Sequence, residues 1–169
     1  MAKGKVSCNE CGSGATVRRG AYRFDASGLD NVVLKGIELI ECPACGNVDP
    51  VIPKMTELFR VLAMAMIAKP QSLTGKEVRY LRKYAGMSAE QFARMLHTDK
   101  TTISKWENDA VKIGSKTDLL IRAIAVQIGP GLKSEAERLI RNFETITERD
   151  KKQPSRLEVD SETLKCMYA

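Results

Sequence analysis

Residues 87–108 read MSAEQFARMLHTDKTTISKWEN. Ser88 followed by Gln91 has the spacing of a capping box, so a short helix is expected through Phe92, Ala93 and Leu96. His97-Thr98-Asp99 breaks the apolar period. A second helix is expected from Lys100 to Glu107, with Ile103 and Trp106 three apart and facing inward. Upstream, Thr74 and Glu77 form another capping box, opening a helix through Val78, Leu81 and Arg82 towards Tyr84, where Gly86 stops it. Two short helices joined by about three residues, the second with small polar residues at its start, have the arrangement of a DNA-reading helix-turn-helix. The start of the second helix then enters the major groove and aims Lys100, Thr101 and Lys105 at base edges. Lysine donates to guanine O6 and N7, and threonine donates, accepts or touches a thymine methyl. Backbone amides at the capped start near Ser88 hold a phosphate, and Thr102 and Asn108 complete the expected DNA-facing set. The plainer alternative is a helical bundle with a solvated charged face.

Charge agrees with the first reading in a modest way. The chain has 169 residues, with 27 Lys and Arg against 21 Asp and Glu, a net +6. Residues 1–53 are neutral and residues 74–113 carry +3, half of the excess in 40 positions. A local basic surplus fits a phosphate-bearing partner. The hydrophobic share of 43% belongs to an ordinary globular chain and excludes a disordered or collagen-like one. No apolar run reaches the roughly 20 residues of a membrane span, and the N-terminus lacks the apolar core of a secretory signal. A cytoplasmic protein with reduced thiols, and no membrane partner, is expected.

Four of the five cysteines form two matched pairs, Cys8-x-x-Cys11-Gly12 and Cys42-x-x-Cys45-Gly46. Two residues between thiols let a tight turn aim both sulfurs at one ion, and the glycine lets the backbone close round them. Four thiolates complete a tetrahedral site with no open position, so one structural Zn2+ per chain is expected, held by Cys8, Cys11, Cys42 and Cys45. Four ordinary buried cysteines are the bland alternative. Between the knuckles, Thr16–Asp25 and Val32–Glu41 read as the strands of a hairpin about a turn at 26–31. Some 50 residues without long helices bury too little to fold alone, so metal binding and folding should coincide. The Cys-Pro-x-Cys-Gly knuckle also resembles that of rubredoxins, and an iron electron carrier is the rival reading. Only Tyr22 and Phe24 supply aromatic cover here.

Pro53 and Pro70 bracket an apolar helix in which Leu58, Phe59, Leu62, Met66 and Ile67 share a face. Packing within the chain or against a second copy would cover it. Ser115 and Asp118 should cap a helix through Ile128 that ends at Gly129-Pro130-Gly131, and Ser134 should open another to about Glu148. The expected division is a four-cysteine ribbon at 1–53, a connector helix at 54–70, a five-helix domain at 71–149 and a C-terminal tail at 150–169. The fold class is mainly α with a small β ribbon. Lone Cys166 reads as a small apolar residue and lone His97 as a solvated turn residue. No general base, open metal position or glycine-rich phosphate loop appears, so no enzyme is expected.

Residues 87–93 and 101–108 resemble the Xre/Cro type of phage-repressor domain. The resemblance implies an ion pair between Arg82 and Glu107. That family usually has glycine after Glu-Asn where this chain has Asp109, so a different exit from the recognition helix is expected. The four-cysteine ribbon containing Val33-Leu34-Lys35-Gly36-Ile37, followed by such a domain, resembles the MqsA (YgiT-type) antitoxin family over roughly residues 6–128. The resemblance implies a homodimeric repressor bound to a palindromic operator in double-stranded DNA. Half-sites would then lie about 34–36 Å apart or a multiple of that. It also implies the antitoxin of a type II toxin–antitoxin system, whose ribbon binds zinc and meets a cognate toxin. Thr101 and Lys105 fall at the base-reading positions, where the family commonly has Asn and Arg, so a different operator is implied. A stand-alone regulator with no toxin remains the alternative.

Overall fold

The computed structural model describes residues 6–137, 141 and 156–169. Four strands come first: β1 (Val6–Ser7), β2 (Gly14–Arg23), β3 (Val32–Glu41) and β4 (Val48–Val51). Among the described residues, the α-helices that follow are α1 (Met55–Ala68), α2 (Gly75–Tyr84), α3 (Ala89–Met95), α4 (Lys100–Glu107) and α5 (Ser115–Ile128). The fold class is therefore mainly α with a β ribbon. The helix expected over 134–148 and the linker at 150–154 fall largely outside the described residues.

The tail expected over 150–169 is corrected by the structure. In its described part, β5 (Leu157–Asp160) runs parallel to β3, and β6 (Cys166–Tyr168) pairs antiparallel with β5. Leu157 and Val159 point into the core while Glu158 and Asp160 point outward. The hairpin thus widens into a six-stranded sheet ordered β1-β2-β3-β5-β6, with β4 also on β3.

β3 is the axis of this sheet, and a bulge divides it. Tyr22 faces Leu34 and Gly20 faces Ile37, so Lys35 and Gly36 together oppose Ala21. Gly36 takes φ +71°, a left-handed value that suits glycine at such a point. The extra residue shifts the inward phase by one. Val32 and Leu34 are buried before it, and Ile37 and Leu39 after it. Both halves therefore face the core. Their outer partners differ: Val32–Lys35 pairs with β5, and Glu38–Glu41 pairs with β4.

One continuous buried cluster joins sheet and helices. It runs from Leu34, Ile37 and Leu39 through Leu58, Leu62 and Met66 to Val78, Leu81, Phe92, Ile103 and Ile121. α1 is covered within the chain, with Leu58, Leu62, Ala63, Ala65, Met66 and Ile67 all buried. Beyond α1, Lys69 is buried against Glu77, Nζ to Oε2 at 2.6 Å. The same carboxylate accepts from the Thr74 amide and completes the capping box of α2.

α2 begins at Gly75 because the chain there touches the end of α4. A Cβ on Gly75 would lie under 3.0 Å from the Trp106 carbonyl oxygen and 2.8 Å from that of Glu107. Both obstacles are backbone and cannot rotate away. Gly75→Ala is expected to destabilise the protein by about 1–3 kcal/mol. Denaturant unfolding measures this, and an unchanged midpoint would show that the two helix ends separate freely.

Candidate metal centre and nucleic-acid interface

The two cysteine knuckles are built alike. In each, the amide of the glycine donates to the carbonyl of the first cysteine, Gly12 to Cys8 at 3.0 Å and Gly46 to Cys42 at 2.9 Å. The first cysteine's own amide donates five residues ahead, to Ser13 at 2.8 Å and Asn47 at 2.9 Å. Gly12 and Gly46 take φ of +74° and +76°. One knuckle joins β1 to β2 and the other joins β3 to β4, so the two turns meet at one end of the sheet. All four Sγ atoms lie within 4.8 Å of one another. Cys8–Cys45 is 3.7 Å and Cys11–Cys42 is 3.5 Å. A tetrahedron with sulfurs about 2.3 Å from its centre has edges of about 3.8 Å, so the cluster has the size of a four-thiolate metal site.

The proton chemistry of the cluster fits a cation. Hydrogen bonds from Ser13, then from Cys42 and Cys45, lower the Cys11 thiol to about 6. At Cys45 the Asn47 backbone bond lowers the thiol, but its contacts with Cys11 and Cys42 prevail and push it up to about 12. The two shifts run in opposite directions because the thiols share hydrogen bonds with one another. A divalent ion at the centre would let all four ionise together. Cys8 and Cys42 are buried, while Cys11 and Cys45 are exposed. Cys166 lies in β6, outside the cluster.

The helical part presents a second site. Ser88 caps α3 through the Gln91 amide at 3.1 Å, and the Gln91 side chain accepts from the Ser88 amide at 2.8 Å. α3 closes on left-handed His97 (φ +50°), whose amide reaches Arg94, and Thr98 donates to Ala93 at 2.9 Å. This 6→1 and 5→2 pair is a Schellman turn. α2 ends the same way at Gly86, with Met87 bonded to Arg82. α4 does so at Asp109, with Ala110 bonded to Lys105. The different exit expected at Asp109 is therefore corrected: Asp109 takes φ +56°. Its carboxylate also accepts the Gly75 amide at 2.7 Å, a contact that offsets the strain and that glycine could not make.

α4 is capped by Asp99, which accepts from the Thr102 amide and hydroxyl at 2.8 Å each. The sequence reading gives Asp99 no role beyond ending the apolar period, although an aspartate before a helix is itself a cap signal. Ile103 and Glu107 face inward, with Trp106 half-buried beside them. Thr101, Ser104, Lys105 and Asn108 share the opposite, exposed face at i, i+3, i+4 and i+7. Among the described residues, no hydrogen bond or ion pair occupies the side chains of Lys100, Thr101 or Lys105. Thr102 is engaged by Asp99. Asn108 is engaged too, donating to the Ser104 carbonyl at 2.9 Å.

Behind this face, the buried Glu107 carboxylate holds α4 to α2. Arg82 meets it through two nitrogens, at 2.6 and 3.1 Å, and also donates to the Met87 carbonyl at 2.7 Å. Arg79 adds a third bond to Glu107 at 3.0 Å and one to the Asn108 oxygen at 2.9 Å. Burial alone would raise the Glu107 carboxyl, but the two guanidiniums hold it below the usual carboxylate range. Arg79 is a site residue that the sequence reading misses. Its position one turn before Arg82, on the same helix face, is the signal that marks it.

A helix-turn-helix family model matches residues 78–125, from the first turns of α2 into α5. No curated protein and no solved structure matches the chain. The match spans α3 and α4 completely and supports a DNA-binding transcriptional regulator. No helix among the described residues is long and apolar enough to cross a membrane.

Proposed function

We propose that this protein is a homodimeric repressor that reads a palindromic operator with α4 and carries one zinc ion in its four-cysteine ribbon. The observation that carries this reading is the outer face of α4. Lys100, Thr101 and Lys105 are exposed and uncommitted, on a helix held rigidly through Glu107 and lying inside the matched segment. Positioned donors on a fixed helix are what base reading requires. Lys100 and Lys105 supply charge to guanine edges or phosphates, and Thr101 reads a neighbouring base. Ser88, Thr102 and Asn108 add backbone contacts, with Thr102 and Asn108 serving also to brace α4.

The resemblance to the MqsA family extends the proposal to an antitoxin whose ribbon meets a toxin. Val17 and Val51 support a partner surface there. Both are large and exposed, and strand register places them on one side of the sheet with Ile40. The sulfur separations suit any closed four-thiolate site, and zinc is preferred to iron because only Tyr22 and Phe24 supply aromatic cover in the ribbon.

Lys105→Ala is expected to weaken discrimination between the operator and a scrambled duplex by about 1–3 kcal/mol, while non-specific binding falls far less. A gel-shift series at fixed salt over a palindrome from the protein's own promoter measures it. Unchanged preference in the variant would overturn α4 as the reading helix.

A further inference from the structure

A cavity of about 670 Å³ opens where the ribbon, α1, α2 and the Pro130–Gly131 loop meet. Its ribbon side is the single 3-10 turn Asp25–Ser27 with Gly28. That volume suits a small organic molecule. The floor is aromatic. Phe59, Tyr80 and Tyr84 form consecutive ring contacts, at 6.4 Å between Phe59 and Tyr80 and 6.3 Å between Tyr80 and Tyr84, the last pair nearly parallel. Both hydroxyls are already used: Tyr80 donates to the Phe59 carbonyl at 3.0 Å and Tyr84 to that of Pro130 at 2.6 Å. The tyrosines are thereby fixed and offer ring surface rather than hydrogen bonds.

The rim is cationic. Arg60, Lys76, Arg79 and Lys83 line it, against the single carboxylate of Glu57. Lys76 is paired with Asp30, and Arg79 with Glu107. Arg60 and Lys83 have no carboxylate partner among the described residues. Arg60 reaches the Met64 sulfur at 3.4 Å. A mostly apolar hollow with two unneutralised cations at its mouth selects a flat apolar body bearing one negative group. A polyphosphate would leave the rings uncovered, and a neutral hydrocarbon would leave the cations unanswered.

We propose that this cavity is an effector site for a small aromatic carboxylate. The ring system lies on Phe59, Tyr80 and Tyr84, and the carboxylate meets Arg60 and Lys83. The site is wired to α4 through Arg79, which lines the cavity and also holds Glu107 and Asn108 at the end of that helix. A carboxylate held by Arg60 and Lys83 adds negative charge to the cavity that Arg79 lines and competes with Glu107 and Asn108 for its guanidinium, so occupancy shifts the end of α4 and changes operator affinity. This regulatory half rests on the proposed reading of DNA by α4; the binding half does not.

The test uses the full metal-loaded chain with 2-naphthoate as probe, beside neutral 2-naphthalenemethanol and inorganic phosphate. Calorimetric titration without DNA should give saturable 2-naphthoate binding with Kd below about 1 mM. The alcohol should bind at least about tenfold more weakly, a difference of roughly 1.4 kcal/mol. Arg60→Gln with Lys83→Gln should lose about tenfold in naphthoate affinity at an unchanged unfolding midpoint. Three results overturn the site: no naphthoate binding at several times that concentration, equal binding of the alcohol or of phosphate, or full affinity in the double variant. Operator affinity is then measured by fluorescence anisotropy with and without saturating naphthoate. A shift supports the coupling. Equal affinity overturns the coupling alone, and a ligand-free protein that ignores the operator overturns DNA reading while the calorimetry still decides the cavity.

Discussion

Cys42→Ser, or removal of the metal by a strong chelator, is expected to unfold the knuckle end of the sheet while the helices persist. Four-thiolate zinc binding contributes on the order of 10–16 kcal/mol to a small metal-dependent unit. That is comparable to the whole stability of an ordinary domain, about 5–15 kcal/mol. The ion would close two turns that have little else. β1 is two residues long, β4 is four, and Cys8 and Cys42 carry the turns inward. The opposite end of β3 is held differently. Both halves contribute to the core, but Val32–Lys35 has β5 as its outer partner, a strand that neither knuckle holds, whereas Glu38–Glu41 has only the knuckle-bound β4. Metal loss should therefore divide β3 at its bulge. Hydrogen exchange should rise steeply over residues 6–16 and 38–51, and far less over 32–35 and α2–α5. Metal analysis of the untreated protein should give one zinc per chain. Iron in a coloured protein would favour the rubredoxin-like reading, and unchanged exchange in β4 after Cys42→Ser would show that the clamp is not needed.

What could be read from sequence was local. The capping boxes at Thr74 and Ser88 span four residues each, and both helices begin there. The cysteine knuckles are local too, and the fold brings their sulfurs together. The failures are cases where distant residues decide. Leu157 and Val159 alternate over only four positions, and their partner strand lies more than 120 residues earlier, so no pattern announces β5. The cap expected at Ser115 fails for a similar reason. Gly114 takes the cap position without a side-chain bond, and Asp118 turns inward to the Leu73 amide and Arg122. At His97 and Asp109 the left-handed turn is made without glycine, so the usual marker is missing. For the α4 face, residue types identified the helix. Only the fold separates the free Lys100, Thr101 and Lys105 from the engaged Thr102 and Asn108.

Arg122→Ala is expected to have the largest effect of any substitution in the helical part. Arg122 lies in α5 and is 0% exposed, yet nothing near it in sequence sets it apart from a surface arginine. Its Nε donates to Asp118 at 2.6 Å. Its two terminal nitrogens reach the carbonyls of Met66, Ile67, Lys69 and Gln71 at 2.6–3.1 Å. The last carbonyls of a helix have no partner within it, and those ending α1 find theirs in this guanidinium. Asp118 returns the connection, accepting the Leu73 amide at 2.7 Å. The chain from α1 to α2 is thus pinned to α5 by one fork and one carboxylate. Alanine would leave Asp118 charged, buried and unpaired, together with a row of unsatisfied carbonyls. Removing one partner of a buried pair costs about 3–5 kcal/mol. Lysine should not rescue it, because a single ammonium has three donors and no planar fork to serve a carboxylate and four carbonyls. Arg122→Met combined with Asp118→Asn should lose less than Arg122→Ala, since no lone charge stays inside, and urea unfolding of the three variants measures the order. If Arg122→Ala shifts stability by under about 1 kcal/mol, water has replaced the guanidinium and the pin carries no strength. The same pin sets where α2 begins, and Gly75 and Arg82 fix α4 against that start. Operator binding should accordingly fade in Arg122→Ala as folding fades, whereas Lys105→Ala should lose discrimination in a protein that still folds.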